Sequence, residues 1–418
     1  MIQDFKYRDN IVNYYFFLVV FLAVVFSIFK KLMIQDFISP VKESVVTHLE
    51  LLSPLCIGKT MRIHSRKEGF PSLENVQIAI LGVQEDRNSE NNYGCGENLH
   101  VIRTKLYELY PGNWKNQIAD LGNVLKGNSV SDTYFAVSEI ITILLKKNII
   151  PIIIGGGQDI TYVNYRAYDS LEQTVNIAAV DSRFDLGNLD DELSSKSYLS
   201  KIIMQEPNNL FNFSNVGYQT YFNSKEEIQL LDNLFFDTCR LGNAKELENI
   251  EPVFRNADIV SIDIGSVRQS EAPGNKNTSA NGFYGDEICA ISRYAGISDK
   301  VSSFGIYEYN SKYDTHHQTA NLISQMIWYF IEGVSFRVKD YPFSAKENYQ
   351  KFTVLLEEDD PLTFYKSNKS GRWWIEIKIL SDTKYKRHAL IPCTHEDYIG
   401  ATNQIVPEKW YKAMSKLV

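Results

Sequence analysis

Cysteine is scarce in this chain, and its placement excludes two classes of protein. The five cysteines (Cys56, Cys95, Cys239, Cys289 and Cys393) are odd in number, far apart and without a CxxC pair, so neither a disulfide framework nor a zinc site is indicated. Reduced thiols in a cytoplasmic body are the default for such a pattern. Basic excess is also missing. The net charge of −8 and the pI near 5.5 give no electrostatic footprint for nucleic acid. A phosphate-binding loop is absent as well: Ser367-Asn368-Lys369-Ser370-Gly371 lacks the GxxxxGK(S/T) spacing. What is abundant is aromatic area, with 25 Tyr and 23 Phe, whose ordinary use is packing. A length of 418 residues allows one large α/β domain with additions, or two domains.

The N-terminus carries the one long apolar run. Tyr14–Phe29 reads YYFFLVVFLAVVFSIF, broken only by Ser27 and closed by Lys30 and Lys31. With Ile11, Val12 and Leu32 it approaches the length of about 20 residues that spans a bilayer as a helix. A soluble helix has no need to be apolar on every face. No small-x-small cleavage site follows, so a removed signal peptide is disfavoured. Lysines after the span place the body on the cytoplasmic side, anchored through residues 14–32. A second reading stays open. MIQDF occurs at Met1–Phe5 and again at Met33–Phe37, where it runs into an ordinary soluble start. On that reading Met33 is the initiator and residues 1–32 are an upstream extension. Residues 33–74 form a lead-in.

From about Asn75 apolar runs alternate with helical stretches. Val76–Val83, Ile149–Gly157, Val175–Asp185, Ala257–Gly265 and Lys300–Asn310 read as strands. Asn98–Tyr110, Val130–Asn148 and His317–Val334 read as helices, with Ser131 or Asp132 as N-cap of the second. Continuously apolar strands separated by helices predict a mainly parallel sheet covered on both faces, a three-layer α/β/α domain over residues 75–339. Such sheets place their sites beyond the carboxyl ends of the strands. Polar residues gather there: Gln158 and Asp159, Asp181 to Asp185, Asp263 to Gly265, and Glu308. Residues 340–418 form a small α+β extension, with Asn368–Ile379 and Lys384–Thr394 as antiparallel strands and Glu408–Leu417 as a terminal helix. Arg372, Trp373 and Trp374 are expected to dock this extension onto the main domain.

The ordered set of strand-end motifs resembles the ureohydrolase superfamily (arginase, agmatinase, formimidoylglutamase), and most of all its formimidoylglutamase branch. IIIGGGQD resembles the family's GGxHD, and AAVDSRFDL its DAHxD. SIDIGSVRQSEAPGNKNTSANGF resembles the SxDxD segment with Pro273, Gly274 and Gly282 in place. YEYNSKYDTHHQTANL resembles the segment leading into the last helix. The resemblance implies an arginase-like α/β fold, a homo-oligomer and two Mn²⁺ ions that activate a shared water for attack on a guanidino or formimino carbon. Carried onto this chain, the metal ligands fall on Gln158, Asp181, Arg183, Asp185, Asp263 and Gly265. Asp181, Asp185 and Asp263 keep the family's residue; Gln158, Arg183 and Gly265 do not.

The losses imply no binuclear manganese centre, and either no metal or one divalent ion (Mn²⁺ or Mg²⁺) held by Gln158, Asp181, Asp185 and Asp263 through oxygen. Arg183 is expected to stand in for the second metal and partly neutralise Asp181 and Asp263. Glu308 matches the position that meets a cationic guanidino or formimino ligand. His316 and His317 are expected to cap a helix or lie on the surface. Three functions remain in competition. One is a catalytically silent ureohydrolase-like scaffold or ligand sensor. The second is a one-metal hydrolase of linear amidines, and the third a membrane-tethered interaction protein.

Overall fold

The computed structural model describes residues 37–188, 190–357, 360–379 and 388–416. The apolar run at Tyr14–Phe29 lies outside them. Among the described residues no helix is long and apolar enough to cross a membrane.

The main body is built on a ten-stranded sheet. Its strands are β1 (Ile38–Ser39), β2 (Arg62–Ile63), β3 (Ile78–Val83), β4 (Ile118–Val124), β5 (Ile150–Ile154), β6 (Val175–Val180), β7 (Leu210–Tyr218), β8 (Asp237–Arg240), β9 (Ile259–Asp263) and β10 (Ser303–Tyr307). The order is β1-β4-β3-β5-β10-β9-β6-β7-β8, with β2 also on β4. Every pairing is parallel except β1 with β4. The expected mainly parallel sheet is therefore present.

The period-two alternation of strands shows directly in the core. Ile78, Ile80, Ile152, Ile154, Val260 and Ile262 belong to one buried cluster, which includes helices Gly285–Ile297 and Gln318–Ser335. Ala79, Leu81, Val83, Ile153, Ala179 and Ile259 belong to the other, with helix Val130–Lys146. Both faces are thus sealed, which is why these strands read as unbroken apolar runs. The N-cap of helix Val130–Lys146 is Ser129 rather than Ser131 or Asp132. Asp132 instead sits three residues on and completes a capping box.

The C-terminal part forms a separate antiparallel sheet, β11 (Tyr349–Val354), β12 (Leu362–Ser367), β13 (Trp373–Glu376) and β14 (Leu390–Cys393), with helices His395–Thr402 and Glu408–Ser415. It has its own apolar cluster around Phe364, Ile375 and Trp373. The expected pair of strands is β13 and β14; β11 and β12 are additions to it. Docking goes through Arg255 at the end of helix Leu247–Asn256. Its guanidinium donates to the carbonyls of Trp373 and Cys393 (3.0 Å each), pairs with Glu251 (2.9 Å) and stacks on Trp374 (4.6 Å). Arg372 pairs with the same Glu251 (3.3 Å). Arg372 and Trp374 thus take part in docking, as the sequence suggests, while the Trp373 ring packs inside the extension's own cluster and only its carbonyl reaches Arg255.

Candidate functional site

The sheet order explains how residues scattered over 150 positions meet. Strands β5, β10, β9 and β6 are neighbours in the centre of the sheet, and their carboxyl ends lie in register: Ile306 beside Ile154, Tyr307 beside Asp263, Ile262 beside Val180. Gln158, Glu308, Asp263 and Asp181 therefore emerge side by side. The turn after β5 uses Gly155 and Gly156 at φ +80° and +78°. A Cβ on Gly156 would also meet the Glu85 carbonyl at 2.8 Å, so glycine is required there. Glu308 and Asp185 take left-handed φ values (+67° and +53°) without being glycine. Such backbone is held only where the surroundings over-determine it. At Glu308 the backbone N–H donates to the Gly156 carbonyl (2.9 Å).

Asp181, Asp185, Asp263 and Glu308 are all 5 % exposed or less. Four buried carboxylates in one place demand a cation, and the structure supplies Lys196. Its ammonium lies 3.2 Å from Asp185 Oδ1, with a quarter of the side chain exposed. Burial works against that charge. Asp185, Asp263, Asp181 and Glu308 outweigh it and hold the ammonium above the ordinary lysine range. Burial raises Asp181 well above the usual carboxylate range, helped by the charges of Asp185 and Asp263. Asp263 and Glu308 are raised by the same burial, and Lys196 opposes the rise in both. Tyr198, buried beside this group, is pushed up by burial and then by Asp185 and Asp181.

Arg183 does not play the expected part. Its guanidinium turns away, donating to the Phe222 carbonyl (3.2 Å) and lying over the Phe222 ring (4.2 Å). Only its backbone N–H reaches the acids, donating to Asp181 Oδ1 (2.9 Å). That turn sends the side chain outward. The neutralising cation is Lys196, from the loop between Asp185 and Ser197.

The other residues divide into satisfied and unsatisfied groups. Glu308 is satisfied: its carboxylate accepts from Ser89 Oγ (2.8 and 2.9 Å), Asn92 Nδ2 (2.6 Å) and the Gln158 N–H (2.9 Å). Asp263 Oδ1 accepts from the Gly265 N–H (2.7 Å) and faces Asn275 Nδ2 at 3.5 Å. The Gln158 amide donates to Ser261 Oγ (2.8 Å), but its Oε1 has no partner. Asp181 Oδ2 and Asp185 Oδ2 are likewise buried and unpartnered. Next to Gln158, Asp159 accepts from the Tyr134 hydroxyl (2.5 Å), and burial raises its pKa to about 7. Among the described residues no three carboxylate, imidazole or thiol groups are placed to hold a metal ion. His316 and His317 are on the surface, and Asp314 caps the following helix by accepting from the Thr319 and Ala320 N–H groups.

Sequence reasoning missed Lys196, Ser89, Asn92, Ser261 and Tyr198. Ser89 and Asn92 follow β3, so the strand-end argument applied to that strand reaches them. Lys196 has no such signal, because it is carried in by a loop.

The arginase family model matches residues 76–332. A formimidoylglutamase of Staphylococcus haemolyticus is 25% identical over 292 residues, covering 64% of this chain and 92% of its own. One from Streptococcus gordonii is 25% identical over 288 residues, covering 62% and 85%. Among solved structures, the formiminoglutamase of Trypanosoma cruzi with Mn²⁺ superposes with a TM-score of 0.58 at 19% identity, covering 64% of this chain and 96% of that one. Formimidoylglutamase from Bacillus subtilis gives 0.58 at 18%, covering 63% and 88%. The matched segment holds the whole strand-end cluster from Gln158 to Glu308, and on this evidence the chain belongs to the arginase family.

Proposed function

We propose that this member of the family is a ligand-binding protein that has given up two-manganese hydrolysis, its second cation replaced by an internal ammonium. The observation that carries the reading is Lys196, 3.2 Å from Asp185 and held charged by the surrounding acids. Two Mn²⁺ ions do not fit these residues. Gly265 supplies no ligand atom from a side chain, and its N–H consumes Asp263 Oδ1. Arg183 points elsewhere, and an ammonium beside doubly charged ions adds repulsion that low local dielectric strengthens. Excess negative charge remains, so the favoured ligand is a small cation of guanidino or formimino type. It would meet the free oxygens of Asp181 and Asp185, while the saturated Glu308 acts by holding the Gln158 turn in place.

One feature favours a second reading, a hydrolase with a single metal. Gln158 Oε1, Asp181 Oδ2 and Asp185 Oδ2 are buried acceptors without donors, and oxygen sets of this kind suit Mn²⁺ or Mg²⁺. Elemental analysis of the purified protein, together with assays on formimidoylglutamate, arginine and agmatine, separates the readings. Less than one metal per chain and no release of formamide, ammonia or urea supports the silent form. One equivalent with turnover supports the one-metal hydrolase. Two equivalents of manganese with turnover overturns both. Gln158→His, Arg183→His and Gly265→Asp combined with Lys196→Met should regain manganese binding.

A further inference from the structure

A cavity of about 270 Å³ opens where β7 and β8 end, and its charge runs against the composition of the protein. We propose that it binds the anionic oxygen group, carboxylate or phosphate, of a small molecule. Tyr218, Gln219, Tyr221, Arg240, Lys245 and Asn281 line it, and no aspartate or glutamate does. In a chain with a net charge of −8, this lining has two cations and no acid, a local reversal of sign.

The cations are also uncommitted. Among the described residues neither Arg240 nor Lys245 has a carboxylate within ion-pair distance. Lys245 rests over the Tyr284 ring at 4.9 Å. The guanidinium of Arg268 stacks on that same ring at 3.3 Å, and its buried Nε has no partner. The neutral polar groups, by contrast, are occupied with one another. Gln219 Nε2 donates to the Asn281 carbonyl (3.1 Å), and Asn281 Nδ2 donates to the Tyr221 hydroxyl (3.1 Å). They form a fixed wall, and the charges are left for a ligand. A guanidinium fork beside an ammonium is the usual protein answer to a planar or tetrahedral oxyanion.

The cavity adjoins the acid cluster without being part of it. The Gln219 N–H donates to the Ser182 carbonyl (3.0 Å), and Asn223 Nδ2 donates to the same oxygen (3.0 Å). Ser182 follows Asp181 directly, so the two sites share a loop. None of the four acids lines the cavity, so it can take an anion whatever occupies them.

Calorimetric titration of the full chain with inorganic phosphate and, separately, with glutarate, at constant ionic strength, is the test. Saturable binding of one anion per chain is expected. Arg240→Gln with Lys245→Gln should weaken it at least roughly tenfold, since both charged donors to the anion are lost. Gly242→Glu should do the same by adding a carboxylate to the lining. A Cβ there meets nothing within 4 Å, so this variant keeps the fold. Binding of phosphate alone assigns a phosphorylated ligand, and binding of glutarate alone a carboxylate. The proposal is overturned if neither anion binds saturably. It is equally overturned if the Arg240/Lys245 double variant binds as the parent does, whatever Gly242→Glu shows.

Discussion

At the amino ends of β8 and β9, Arg255 and Arg372 share Glu251, Lys300 faces Asp258, and Lys412 faces Asp237 and Glu408. At the carboxyl ends of β5, β10, β9 and β6, one ammonium stands among Asp181, Asp185, Asp263 and Glu308. The same sheet thus carries balanced charge where the C-terminal unit docks and unbalanced charge where the strand-end acids gather. Balanced pairs fix one arrangement. An excess of buried acid stores a demand for cations, which proteins tolerate where something is to be bound. The left-handed Glu308 and Asp185 sit at the unbalanced end, where the surrounding hydrogen bonds hold them.

The largest effect is expected at the balanced end. Arg255→Met removes the donor to two carbonyls and the partner of Glu251, at a cost of roughly 3–5 kcal/mol for a broken buried pair. The C-terminal unit should unseat first, so tryptophan fluorescence should change at lower urea than far-UV dichroism. A single transition at the parent midpoint would show that the docking interface is held by apolar contact alone. At the other end, Lys196→Met should cost on the order of 3 kcal/mol, at the low end for a buried pair because the side chain is partly exposed. Saturating Mn²⁺ should recover part of that loss, since a divalent ion can replace the missing charge. An unchanged urea midpoint for Lys196→Met would remove the contrast between the two ends.

How much of this was legible in the sequence follows from the same contrast. The central strands could be read because both faces are buried. Every residue of β3, β5, β6, β9 and β10 is buried; β3, β5 and β6 are mostly Ile, Val and Ala, and β9 and β10 are short, largely apolar runs. Strand β7 could not, because Asn212, Ser214 and Asn215 interrupt its pattern while being buried and hydrogen-bonded. Strand β8 is a short edge of partly exposed residues. The acids could be placed because strand ends are fixed by strand registers. The cation could not, because a loop chooses which side chain it delivers. Arg183 is two residues from Asp181 in sequence, yet the turn that bonds its N–H to Asp181 points its side chain elsewhere. Nearness in sequence was a poor guide beside a tight turn.

Lys416 sharpens the comparison from the balanced end, where one cation is not well served. Burial lowers its pKa to about 8, with Asp237 opposing only in part. The unfolded chain holds that proton up to the ordinary lysine range, so between about pH 8 and 10.5 the unfolded state binds more protons than the folded one. Stability should therefore rise with pH, by about 1 kcal/mol between pH 7 and 9. Lys416→Met should flatten that part of the urea midpoint against pH. A slope that persists in the variant would place its origin in another group.

The smallest expected effect decides which cation serves the acids. Arg183→Met loses one bond to the Phe222 carbonyl and a ring contact, together worth about 1 kcal/mol at a half-buried position. Because the guanidinium faces away from Asp181 and Asp263, Mn²⁺ should stabilise this variant no more than it stabilises the parent. The Lys196→Met variant should gain visibly more. If Arg183→Met instead matched Lys196→Met in both cost and manganese rescue, the guanidinium would have to swing inward in solution. The acids would then be served by two cations, and the carboxyl end of the sheet would be nearly as balanced as the amino end.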